Sequence, residues 1–138
     1  MTDEDLYYEL AYYTLEHPHS SFIHQHIVDA YAAQHAQETT KAIRIVFALV
    51  GLYLYLEKDF SGRQVQKAHM QLAKRRKTWD RPQLPVERGD IVISDVLAAP
   101  PGQQRDSRIR EWCVSVWNAW REDRDQIVAL VSSELGIR

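Results

Sequence analysis

Five of the chain's six histidines fall between His17 and His35, in the stretch HPHSSFIHQHIVDAYAAQH, with Asp29 among them. Imidazole both ligates transition metals and titrates near neutral pH, so such a run raises metal binding and acid/base work together. Neutral imidazoles with one carboxylate suit zinc, iron or nickel, and an open coordination position would permit hydrolysis or oxygen chemistry. The run divides when it is wound as a helix. His24, Val28, Tyr31 and His35 share one side, while His26, Asp29, Ala30 and Ala33 lie toward the other, and Ile23, Ile27 and Ala30 point to a buried centre. The segment alone therefore cannot close around one ion. The outside contributor is His69, on an apolar stripe between Val65 and Leu72. Two ligand sets follow: His69 with His24 and His35 as first choice, and His69 with His26 and Asp29 as second, for a divalent metal such as zinc. The competing expectation is structural, with Asp29 and one histidine hydrogen-bonded to tie helices, since an unpaired buried polar group costs about 1–3 kcal/mol.

Sparse glycines and prolines mark the elements that must position these side chains. A first helix with an acidic start ends at Pro18, and Ser20 or Ser21 caps a second helix to about His35. A third runs from Thr39 or Thr40 through Glu57. It is apolar almost all round, which places it at the centre of a bundle. A fourth covers about Arg63 to Lys77, ending in the basic cluster KRRK. The stretch 78–88 has two prolines and no period, so it is a long connection pinned by Trp79 and Leu84. Ser94–Leu97 reads as one helical turn. Ser107 to about Leu135 is a long helix whose stripe Ile109, Trp112, Cys113, Val116, Trp120, Ile127 and Val131 is interrupted by REDRD. The expected fold is all-α, a single-domain bundle of about five main helices over residues 1–138.

Composition narrows the function classes. With 45% hydrophobic and 26% charged residues and a formal charge of −2, the chain has no global attraction for nucleic acid or acidic membrane. The apolar run Ile45–Leu56 is shorter than the roughly 20 residues that cross a bilayer. The acidic start MTDEDLYYEL does not resemble a secretory signal, and a single cysteine fits a reducing cytoplasm. Cys113, on a buried stripe, reads as a small hydrophobe rather than a nucleophile. No HExxH motif, paired ExxH motifs, glycine-rich phosphate loop or Ser-His-Asp ordering is present. Seven tyrosines and four tryptophans are many for a small helical domain, and Tyr8 and Tyr12, or Trp117, are candidates for a self-association surface.

VDAYAAQH (28–35), ALVGLYLYLE (48–57), SDVLAA (94–99) and EWCVSVWNAW (111–120) together resemble an uncharacterised bacterial family, the domain of unknown function DUF5946. The likeness spans about Tyr12 to Trp120. It implies a compact helical domain and marks Asp29, Tyr31, Gln34 and His35 as matching positions. Members of that family often carry an N-terminal cysteine pair like a metal knuckle, and this sequence has none. The functional expectation is a cytoplasmic helical protein with a histidine-lined metal-binding or polar pocket on the second helix. The alternative is a non-enzymatic module that self-associates into a homo-oligomer through its aromatic-rich first and last helices.

Overall fold

A computed structural model describes residues 1–16 and 23–138. Among them are seven α-helices: α1 (Asp3–Glu16), α2 (Ile23–Gln34), α3 (Ala42–Lys58), α4 (Gly62–Ala73), α5 (Ile93–Ala98), α6 (Gln103–Ala119) and α7 (Arg124–Leu135). One 3-10 turn, Arg121–Asp123, joins the last two, and no strand occurs among the described residues. The terminator Pro18, the caps Ser20 and Ser21, and His17 and His19 lie outside the described residues.

The all-apolar sequence of α3 has its physical consequence: nine of its residues, from Ile45 to Leu54, are buried, and it packs against α2, α4, α6 and α7. Fully burying one Leu or Ile stabilises by about 1.5–3 kcal/mol, so this helix carries much of the core. It runs antiparallel to α2, because His26 meets Tyr55 while Asp29, one turn on, meets Gly51. It runs antiparallel to α4 as well, since Val65 faces Gly51 while His69 reaches Phe47. The reversal between α3 and α4 is tight. Asp59 is left-handed at φ 57°, its amide donates to the Leu54 carbonyl, and a Ser61–Gln64 capping box then starts α4.

Two expected boundaries shift. The fourth helix stops at Ala73 rather than Lys77, with Arg76 left-handed at φ 50°. Four successive cations gain more outside the helix, where Arg75 and Lys77 both reach Glu134 on α7. The long last helix is two helices, and it breaks at REDRD: Asp123 turns inward, 6% exposed, and accepts the Gln83 amide at 3.0 Å. Glu57 at the end of α3 clamps this junction, accepting from Trp117 Nε1 at 2.8 Å and from Arg124 through both carboxylate oxygens.

The long connection between α4 and α5 is fixed by side chains. Trp79 is buried, Arg81 donates to the carbonyls of Gln37, Glu38 and Thr40, and Arg88 donates to those of Ala33, Gln34, Ala36 and Pro85. Arginine charge at the C-terminus of α2 also favours the helix dipole.

Candidate functional site

The division of α2 into two sides is present in the fold. His26, Ile27, Asp29, Ala30, Ala33 and Gln34 face the core, while His24, Tyr31 and His35 are half-buried on the other flank. Asp29 is only 3% exposed. Its Oδ1 accepts from Gln25 Nε2 at 3.2 Å and its Oδ2 has no hydrogen-bond partner. Burial holds this carboxyl well above the usual carboxylate range and so favours its neutral form. It fits only because residue 51 is glycine: a Cβ there would stand 1.9 Å from Asp29 Oδ2.

One turn back along α2, His26 is 2% exposed and stacked on Tyr55, with ring centroids 3.5 Å apart and planes 7° from parallel. Its Nδ1 also lacks a partner. Burial, with a smaller contribution from the Arg110 charge, pulls its pKa down to about 4, so the ring is neutral at physiological pH. The Arg110 guanidinium lies 5.0 Å from the Tyr55 ring centre, and Cys113 Sγ donates to the His26 carbonyl at 3.7 Å. Above them opens a hollow of about 330 Å3, lined by Ile23, His26, Tyr55, Asp59, Phe60, Ser61 and Gln64. The site is thus a neutral imidazole at the wall of an open hollow, with a second under-bonded polar group one turn further along α2.

The remaining sequence candidates stand apart. His24 Nδ1 meets Thr14 Oγ1 of α1 at 3.0 Å, and that hydroxyl donates to the Ala11 carbonyl. His35, at the far end of α2, places Nδ1 against the Tyr31 carbonyl and Nε2 against Asp3 Oδ2, each at 3.1 Å. His69 Nε2 donates to the Phe47 carbonyl at 2.7 Å and its ring stacks on Phe47, tying α4 to α3. Of the five candidate ligands, His26 and Asp29 are neighbours, and His24, His35 and His69 each turn to a different partner. Among the described residues, no group of three or more His, Cys, Asp or Glu is placed to hold a metal ion.

Gln34 is the polar centre of the core. Its Nε2 donates to the carbonyls of Arg88 and Ile91, and its Oε1 accepts from Trp112 Nε1 at 2.9 Å. Cys113 is buried and its thiol pKa is pushed up, as expected of an inert cysteine. Trp117 is corrected as an interface candidate: it is 5% exposed and its indole is bonded to Glu57. Tyr8 and Tyr12 remain on the surface, 62% and 67% exposed. Two participants escaped sequence reasoning. Gly51 left a signal, because an isolated glycine inside a helix marks close approach. Arg110 left none.

No helix among the described residues is long and apolar enough to cross a membrane. No curated protein and no solved structure matches the chain. A family model does match, over residues 4–121, and by that match the chain belongs to the family of unknown function DUF5946.

Proposed function

We propose that this chain is a small-molecule-binding helical domain whose site is the hollow at the start of α2, and whose ligand is neutral, partly apolar and hydrogen-bonded to His26. The observation that supports this most is His26 Nδ1, a buried ring nitrogen without a partner on a residue that lines the hollow. Leaving such an atom unmet costs about 1–3 kcal/mol, which a ligand hydrogen bond recovers. The neutral form of His26, and the opposition of Asp59 on the rim to Arg110 beside Tyr55, favour a ligand without net charge. Ile23 and Phe60 supply apolar wall. We place it in the cytoplasm, where its one cysteine stays reduced.

The test is a ligand-observed NMR screen of neutral amides and azoles against the chain and its His26→Phe variant, which keeps the stack on Tyr55 but removes Nδ1. Binders that lose affinity about tenfold in the variant support the reading. Binders indifferent to it, or none, remove it. Zinc bound at one equivalent and lost in His26→Phe would replace hydrogen bonding with metal ligation as the use of this pocket.

A second reading has its own observation. Tyr8, Tyr12 and Leu15, spaced four and three apart on α1, are 62%, 67% and 55% exposed and so form an outward apolar stripe. Self-association through it predicts a dimer in light scattering that Tyr8→Ser with Tyr12→Ser converts to monomer. A monomer at high concentration rejects it.

A further inference from the structure

The α3–α4 reversal supplies three polar residues to the hollow that His26 lines: Asp59, Ser61 and Gln64. Each keeps a group uncommitted. The Asp59 carboxylate makes no hydrogen bond or ion pair among the described residues. Ser61 and Gln64 serve each other, the Ser61 amide donating to Gln64 Oε1 at 2.8 Å and the Gln64 amide to Ser61 Oγ at 3.2 Å. Among the described residues the Ser61 hydroxyl proton and the Gln64 Nε2 protons therefore have no acceptor.

The backbone holds these side chains still. The amides of Asp59 and Phe60 both donate to the Leu54 carbonyl, and the capping box fixes the start of α4. Asp59 is left-handed at φ 57°, where a helix usually ends on glycine. A carboxylate is kept there against that preference, and strained positions of this kind collect at ligand sites. His26, buried, under-bonded and lining the same hollow, independently points to a ligand.

The polarity of this wall selects the ligand. One short turn presents an acceptor at Asp59 and donors at Ser61 and Gln64, so the ligand must show a donor and an acceptor on one edge. An open-chain secondary amide is trans and points its N–H and C=O in opposite directions. A ring holds the amide cis, with both groups on the same edge. A hollow of about 330 Å3 is at the small end for ligand sites and suits a single ring. Resting on the His26 reading above, we propose that the ligand is a small cyclic amide or imide. Its N–H donates to Asp59, its carbonyl accepts from Ser61 or Gln64, and the second carbonyl of an imide accepts from His26. Ile23 and Phe60 take the apolar part of the ring.

The test titrates glutarimide, N-methylglutarimide and N-methylacetamide into the isotope-labelled full chain. Glutarimide should give saturable amide shifts confined to residues 23–27 and 55–65. N-methylglutarimide, which lacks the N–H, should bind about tenfold more weakly, and the trans amide N-methylacetamide more weakly still. Asp59→Gly keeps the left-handed turn and removes the acceptor. It should weaken glutarimide about tenfold, leave N-methylglutarimide unchanged, and melt at or above the native chain. The proposal is overturned if the two imides bind equally, or if Asp59→Gly binds glutarimide as the native chain does. It is also overturned if Asp59→Gly melts lower, which would make the carboxylate part of the fold. Methylammonium bound by the native chain and lost in Asp59→Gly, with glutarimide silent, would assign Asp59 to a cation and overturn it too. His26→Phe separates the two readings. Ligands that weaken in His26→Phe but ignore Asp59→Gly leave the His26 reading standing and remove the ligand class, whereas ligands indifferent to both variants remove both.

Discussion

The two ends of α2 carry the same kinds of side chain under opposite conditions. At the start, His26 and Asp29 are buried against α3 and α4, and both are pushed toward their neutral forms. At the finish, His35 stands half-exposed beside Asp3, at an open corner that Lys41 and Arg44 also line. A sequence dense in histidine therefore encodes two environments within one helix. Burial, and not residue identity, decides whether an imidazole packs as a neutral wall or stands open to solvent beside a carboxylate.

The sharpest way to break this contrast is at Gly51. Gly51→Ala drives a Cβ into the Asp29 carboxyl, and urea unfolding should show a loss of about 3 kcal/mol. In an Asp29→Ala background the same change should be neutral or gain up to about 1 kcal/mol, the usual helix preference for alanine. Equal losses in both backgrounds would mean that the carboxyl does not fill that space.

Acid titration separates the two buried groups by sign. His26 has a folded pKa of about 4 against an ordinary 6.5, so its contribution is complete above 6.5 and is lost as pH falls through 4. His26→Phe should remove about 3 kcal/mol of that acid sensitivity, read as a flatter dependence of Tm on pH between 7 and 4. Asp29 is raised above its ordinary 3.8, so its contribution is complete below 3.8 and fades as pH rises. Asp29→Asn should therefore raise Tm at pH 7, by a margin that shrinks toward pH 4. A margin growing toward pH 4 would show an ionised carboxylate.

Gln34→Leu should cost about 2 kcal/mol by stranding the Trp112 indole and two loop carbonyls, and fluorescence-monitored unfolding reads it. The smallest effect belongs to the open end. His35→Ala should cost under about 1 kcal/mol, because its partner Asp3 is 55% exposed. A loss near that of Gly51→Ala would erase the distinction between the ends.

Much of this was legible in the sequence, for identifiable reasons. Helical stepping separated His26 and Asp29 from His24 and His35, and the apolar run placed α3 at the centre. Periodicity cannot show what a ring nitrogen will find on a neighbouring helix. His69 sits on the stripe of α4 as expected, yet its Nε2 meets the Phe47 carbonyl, and His24 meets a threonine of α1. Such contacts depend on helix rotations and offsets of a few ångströms. The end of α4 differs from its sequence pattern for a related reason: KRRK looks like a favourable helix terminus, and the distant Glu134 holds Arg75 and Lys77 outside the helix.

The connection from residue 74 to 92 has a consequence for engineering. Loops without regular hydrogen bonding are the usual places to lengthen a chain or graft a tag. Here Arg81 and Arg88 commit their donors to the carbonyls around the end of α2, and the Gln83 amide is committed to Asp123. A peptide spliced between those arginines would pull both staples off their anchor points.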